Sequence, residues 1–190
     1  MKLENLIKSL EKSLVIKKGK YSYIVHPLTD GIPLVESNLI REVTHEMKSV
    51  IKDFFPFDKM LTIEAMGIPL ASALCLELDI PFVIVRKRSY GFSDEVEINQ
   101  KTGYSDTKLF INGLKSGDRI IIIDDIISTG ATLKSIISTL KKLNIDIRGI
   151  IVLFDKGEAV RDIEYEFNVK VETLLKIDVK DNLVKIKNVS

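Results

Sequence analysis

Only one cysteine, Cys75, occurs among the 190 residues, so no disulfide can close within the chain. That suits a reducing compartment. Cys75 lies in the apolar run ALCLELDI, where a thiol reads as a small core hydrophobe rather than a nucleophile. Neither charge is in excess: 28 basic residues stand against 27 acidic ones, for a net charge of +1. The chain therefore has no general field for nucleic acid or an acidic membrane, and any anion site must be local. No apolar run reaches the length needed to span a bilayer. The opening stretch MKLENLIKSLEKSL spaces Leu3, Leu6, Ile7, Leu10 and Leu14 as a helix does, with lysines and glutamates between them, unlike a secretory signal. The expected location is the cytoplasm. Neither GxxxxGK[ST] nor a GxGxxG after a strand occurs, which removes the nucleotide sites built on those loops. Repeats, linkers and low-complexity segments are also missing.

What is present describes one domain over residues 1–190, with 45% hydrophobic and 29% charged residues. From about residue 58 strand-like and helix-like patterns alternate. KMLTIE at 59–64 reads as a buried strand, PLASALCLEL at 69–78 as a helix, and FVIV at 82–85 as the next strand. Four consecutive isoleucines at 120–123 have the pattern of a strand covered on both faces. LKSIISTLKKL at 133–143 puts Ile136, Ile137, Leu140 and Leu143 on one helical face. GIIVLF at 149–154 and the stretch 169–175 read as further strands. Strand–helix–strand order predicts an α/β fold with a mainly parallel central sheet flanked by helices. Two stretches stand outside this pattern. YSYIVHPLTDGIP at 21–33 reads as a structured loop or small lobe. The polar stretch 89–108 is long enough to be a functional lid, with a short ribbon around Val96 and Ile98.

The chemistry concentrates in IIIIDDIISTGAT at 120–132. Two adjacent carboxylates, Asp124 and Asp125, follow a buried strand. A short loop with Ser128, Thr129, Gly130, Ala131 and Thr132 then leads into a helix. Unpaired N–H groups in a first helical turn, aided by the helix dipole, make an anion site. Gly130 permits a close backbone approach and the hydroxyls add donors. Two carboxylates side by side repel each other and a phosphate, so they need sugar hydroxyls or a hard cation such as Mg²⁺. A strand end with a capped helix would use some of the same residues. The full string fits a ribose 5-phosphate better.

This string resembles the signature of the type I phosphoribosyltransferases, and the resemblance covers most of the chain. Within that group it is most similar to the archaeal hypoxanthine/guanine enzymes, which are close in sequence to the adenine ones. YIVHPLTDGIPLVE, TIEAMGIPLASAL, PFVIVRKRSYG and IIIIDDIISTGATL carry the likeness. It implies Mg²⁺-dependent transfer of a phosphoribosyl group from 5-phosphoribosyl diphosphate to a purine, releasing pyrophosphate, by a homodimer. Asp124 and Asp125 are the implied ribose and catalytic residues, and Mg²⁺ is held mainly through substrate, with the same two carboxylates as candidate ligands. Ser128, Thr129, Gly130, Ala131 and Thr132 are implied to wrap the 5′-phosphate. Glu64, Ala65, Met66 and Gly67 fall at the family's pyrophosphate loop, and Arg86, Lys87 and Arg88 at a basic cluster that also meets pyrophosphate. Residues 1–34 include a hood over the base, with Tyr21, Tyr23 and Val25 as base contacts. Residues 89–108 match the flexible lid, and Tyr104 is placed over the reacting centre.

The sequence departs from the family at two points. Ser128 stands where many hypoxanthine/guanine enzymes have an acid, and Gly103 where adenine enzymes have a glutamate. The proton acceptor stays unassigned, with Glu97 or a water as candidates. His26 reads as a conformational or base-pocket residue and His45 as a surface one. Hypoxanthine, with guanine, is the expected base, and adenine the alternative. A regulator that senses 5-phosphoribosyl diphosphate is a third reading, although no recognition helix is evident.

Overall fold

The four isoleucines form the centre of the molecule because each lies on a buried strand face. In the computed structural model, which describes residues 3–19, 21–102, 105–180 and 183–189, Ile121 and Ile123 join one hydrophobic core. Ile120 and Ile122 join a second core on the other side of the sheet. Alternation along a strand produces this division, and burial on both faces explains the unbroken apolar run.

In chain order the elements are α1 (Glu4–Glu11), β1 (Leu14–Lys18), β2 (Tyr21–Val25), α2 (Pro27–Asp30), α3 (Ser37–Ile51) and β3 (Lys59–Ile63). There follow α4 (Gly67–Leu78), β4 (Phe82–Val85), β5 (Val96–Thr102), β6 (Ser105–Ile111), β7 (Arg119–Ile127) and α5 (Ala131–Lys142). The chain continues with β8 (Asp146–Asp155), α6 (Ala159–Phe167), β9 (Val171–Lys180) and β10 (Leu183–Val189). Six strands make the main sheet in the order β10-β9-β8-β7-β3-β4. Its pairings are parallel except between β10 and β9. The mainly parallel α/β sheet expected from the sequence is therefore formed.

Helices α1, α3 and α4 supply Leu6, Leu10, Val43, Met47, Leu70 and Leu74 to the first core. Helices α5 and α6 supply Leu133, Ile136, Ile137, Leu140 and Ile163 to the second. Ile98 and Leu109 also enter the second core, because β5 and β6 pair as an antiparallel ribbon. The ribbon anticipated around Val96 and Ile98 thus pairs Val96–Thr102 with Ser105–Ile111. The turn before it is organised by Glu95, whose carboxylate accepts from Tyr90 N–H at 2.9 Å and Asn112 Nδ2 at 3.1 Å.

The stretch 21–33 resolves into β2, which pairs with β1, and the single-turn helix α2. His26 caps α2: its Nδ1 accepts from Leu28 N–H at 3.1 Å. That bond leaves Nε2 as the protonated nitrogen, donating to Ser9 Oγ at 2.7 Å. The ring is fully buried and sits edge-on to Phe154 at 5.3 Å. His26 therefore pins the hood to α1. His45 is exposed on α3.

Candidate active site

Strand β7 does not end at its carboxylates. It stays paired with β8 as far as Ile127, whereas its pairing with β3 stops at Ile123. Beyond that point the side of β7 next to β3 opens, and the turn into α4 fills the space around Asp124. A β-carbon on Gly67 would lie 3.3 Å from Asp124 Oδ1, so only glycine brings this turn so close. Asp124 is 8% exposed and its Oδ1 accepts from Asp125 N–H at 3.0 Å. Burial holds its carboxyl well above the ordinary carboxylate range, and the charge of Asp125 adds to the effect. Burial also raises Asp125, with a contribution from the charge of Asp30. Such a pair favours hydroxyl donors or a cation beside it.

Residues 128–130 connect β7 to α5. Gly130 takes the N-cap position with φ 71° and offers no side chain to cap the helix; Thr129 Oγ1 accepts a long bond, 3.5 Å, from Ala131 N–H. The first-turn N–H groups are thus directed at the loop, as an anion requires. Gly130 has a second constraint, because an added β-carbon would lie 2.9 Å from Ala159 Cβ on α6. Its near-neighbour loop is fixed likewise: Lys156 N–H donates to Ile127 O at 2.8 Å, and a β-carbon on Gly157 would lie 2.8 Å from Ser128 O. The glycines here serve backbone conformation and helix packing.

The third loop follows β3. Glu64 N–H donates to Val85 O at 3.0 Å, and its carboxylate accepts from Lys87 N–H at 2.8 Å. Arg86 lies 3.8 Å from the same carboxylate. Glu64 therefore ties this loop to the end of β4, and the Glu64–Ala65 peptide is cis. A cavity of about 280 Å³ brings together Glu64, Lys87, Asp124, Asp125 and residues 128–132, with Thr107 and Leu109 of β6 as part of its wall. Ala65, Met66, Gly67, Arg86 and Arg88 do not line it. Arg86 and Arg88 instead lie 5.8 and 5.7 Å from the centre of the Tyr90 ring.

The hood residues are distributed differently. Tyr23 is 46% exposed, and Val25 lines a different cavity of about 600 Å³ with Leu14, Pro27, Ile32 and Pro33. The Tyr21 side chain and all of Tyr104 lie outside the described residues. Two residues that the sequence reading passed over join the hood to the site. Lys156 Nζ donates to Ser22 O. Asp30 is exposed at the end of α2 and adds its charge to the field at Asp125. Lys156 lies in a stretch that reads only as the end of a strand, and Asp30 as one of several turn-forming residues.

The phosphoribosyl transferase domain family matches residues 32–183. A hypoxanthine/guanine phosphoribosyltransferase of Methanothermus fervidus is 51% identical over 98% of this chain and 98% of its own. The enzyme of that name from Methanocaldococcus infernus is 50% identical over 98% of this chain and 100% of its own. Among solved structures, the adenine phosphoribosyltransferase of Leishmania tarentolae has a TM-score of 0.75 at 17% identity, covering 96% of this chain and 89% of that one. The adenine enzyme of Thermoanaerobacter pseudethanolicus has a TM-score of 0.73 at 19% identity, over 90% and 98%. At these identities the structures establish a shared fold. The buried Asp124, the half-buried Asp125, an uncapped helix start and Glu64 of the turn after β3 meet in one crevice at the carboxyl edge of a parallel sheet, and this chain belongs to the phosphoribosyltransferase family.

Proposed function

We propose that the chain salvages purines by transferring the 5-phosphoribosyl group from 5-phosphoribosyl diphosphate to hypoxanthine and guanine, giving IMP and GMP with pyrophosphate. The observation that carries this reading is the single cavity holding Asp124, Asp125, Lys87 and the uncapped start of α5. Asp124 and Asp125 accept hydrogen bonds from the ribose hydroxyls. The N–H groups and hydroxyls of 128–132 hold the 5′-phosphate, and Lys87 faces the diphosphate. As the C1′–O bond breaks, its electron pair leaves with pyrophosphate while the purine nitrogen bonds to C1′ and the imidazole proton of the purine passes to water. Positive charge near the departing oxygens stabilises that separation.

The donor set suits Mg²⁺, since the buried Asp124 and the half-buried Asp125 beside it are hard oxygen ligands that disfavour sharing a site as anions. Among the described residues no three His, Cys, Asp or Glu side chains cluster as a metal site, so the ion would take further ligands from substrate oxygens. Bound there, it would supply positive charge to the leaving diphosphate. The names of the relatives support the 6-oxopurines as acceptors. We place the enzyme in the cytoplasm as a homodimer, a reading in keeping with its lone cysteine; no helix among the described residues is long and apolar enough to cross a membrane.

The test is to supply Mg²⁺ and 5-phosphoribosyl diphosphate with hypoxanthine, guanine or adenine in turn, and to measure nucleotide and pyrophosphate. IMP and GMP should form well ahead of AMP. Turnover with adenine alone would overturn the base assignment. No turnover with any base, with retained binding of the diphosphate, would leave a sensor. Asp125→Asn should lower kcat/KM by at least roughly 100-fold; a near-normal rate would remove the ribose assignment.

A further inference from the structure

We infer that Asp155 is a positioning residue for the loop that takes the 5′-phosphate, acting through the turn between β8 and α6; the inference rests on the transfer reaction proposed above. Asp155 ends β8, is buried, and does not line the cavity that holds Asp124. A buried carboxylate needs partners to offset its lost hydration. Lys176, opposite it in the β8–β9 pairing, supplies one at 3.5 Å. The N–H of Gly157 supplies another, donating to Oδ1 at 3.0 Å. The same ammonium pairs with Glu158 at 3.3 Å, so it spans both ends of the turn 155–158.

Three contacts carry this turn to the loop between β7 and α5. Lys156 N–H donates to Ile127 O at 2.8 Å. Gly157 lies so close to Ser128 O that an added β-carbon would stand 2.8 Å from it. Ala159, the first residue of α6, meets Gly130, where an added β-carbon would stand 2.9 Å from Ala159 Cβ. Ile127, Ser128 and Gly130 thus each rest on the turn or on the helix it opens. Main-chain N–H groups bind an anion only while they stay aligned, and a shift of about 1 Å can cost up to roughly 100-fold. Gly130 brings no side chain to steady that alignment, so the loop is steadied from behind. Asp155 anchors the backing: the sheet fixes its carboxylate, and the carboxylate fixes Gly157 against Ser128. Only ligands that carry a 5′-phosphate should feel its loss.

The experiment follows the reaction in both directions, because 5-phosphoribosyl diphosphate and IMP carry the 5′-phosphate while hypoxanthine and pyrophosphate do not. Asp155→Ala removes the acceptor for Gly157 N–H. It should raise KM for 5-phosphoribosyl diphosphate and for IMP roughly 10-fold, and leave KM for hypoxanthine and pyrophosphate within about 2-fold of wild type. Asp155→Asn keeps an oxygen for Gly157 and should bring the two raised values back to within about 3-fold of wild type. Should the alanine variant not fold, Gly157→Ala decides, because its methyl group presses on Ser128 O directly and should give the same split. Equal rises for all four ligands, or none, would overturn the inference. A rise for the diphosphate and pyrophosphate without IMP would place the leaving group on the loop and overturn it too. An asparagine no better than the alanine would remove the route through Gly157. Wild type inactive on every base would sink the transfer reaction itself, a separate outcome read before any variant.

Discussion

A β-carbon built on Gly67 would stand 3.3 Å from Asp124 Oδ1 and equally close to the carbonyl oxygen of Ile123. It would also collide with the hydroxyl of Thr62, which is buried and donates to Ile123 O at 2.9 Å. The turn into α4 and the Asp124 carboxylate are thus one packed unit. Gly67→Ala should destabilise the fold by about 1–3 kcal/mol in urea titrations. It should also raise KM for 5-phosphoribosyl diphosphate more than for the base. Unchanged kinetics would mean the turn yields without moving Asp124.

Gly130 carries two separable demands, positive φ and contact with α6. Gly130→Ala should lose about 1–2 kcal/mol from the left-handed backbone and a further part from the clash with Ala159. Adding Ala159→Gly should recover only the second part. Full recovery in thermal or urea melts would show that the backbone conformation costs nothing.

Glu64 bonds to the main chain of Lys87 and pairs with Arg86 at 3.8 Å, so its effect on substrate runs through the end of β4. Glu64→Ala should raise KM for 5-phosphoribosyl diphosphate roughly 10-fold with the base KM little changed. Glu64→Gln keeps the acceptor for Lys87 N–H and should stay near wild type. Equal effects from both variants would point to the charge rather than the tie.

His26 should make stability fall in mild acid. Burial lowers its pKa from 6.5 to about 4, partly opposed by the charge of Asp30. The unfolded chain takes up a proton near 6.5 and the folded one only near 4, so the contribution is complete above 6.5 and is lost as pH falls from 6.5 to 4. Between pH 7.5 and 5 the imidazole should account for about 2 kcal/mol of lost stability. Urea titrations of wild type and His26→Asn at both values measure it as the difference in their losses. Parallel losses would show the ring to be protonated or solvated when folded.

The core of this fold was readable because buried parallel strands write themselves as unbroken apolar runs. The isoleucines of β7 and the centre of β8 do so, whereas FVIV of β4 is an apolar run on the sheet's edge strand, where only Val85 is fully buried. The helix after the Asp-Asp pair showed its apolar face at the correct spacing, and the loop before it carries the same residues that line the cavity. Elements with one exposed face were harder to see. In β10, Leu183, Lys185 and Lys187 are exposed while Val184 and Ile186 are partly buried, an alternation too short to stand out beside its lysines. Helix α6 is only nine residues long, and its hold on Gly130 through Ala159 is visible only in three dimensions. The same holds for Asp30, whose approach to Asp125 depends on how a hairpin and a single helical turn pack on the sheet. Tyr23 and Val25 were natural candidates for a base because aromatic and apolar groups suit one; neither lines the cavity that holds Asp124, and Val25 lines a separate one.

Strand order gives the two halves of the site unequal freedom. Strands β3 and β7 are hydrogen-bonded on both sides, so neither of their loops can shift without dragging a neighbour. The hood hangs from a separate two-stranded sheet, joined to the rest by side-chain ties such as His26 to Ser9 and Lys156 to Ser22. If the hairpin covers the acceptor as proposed, substitutions in it would retune which base is admitted while the handling of the donor stays frozen. On that reading, a lineage carrying this architecture would widen or narrow its diet of bases without rebuilding its chemistry.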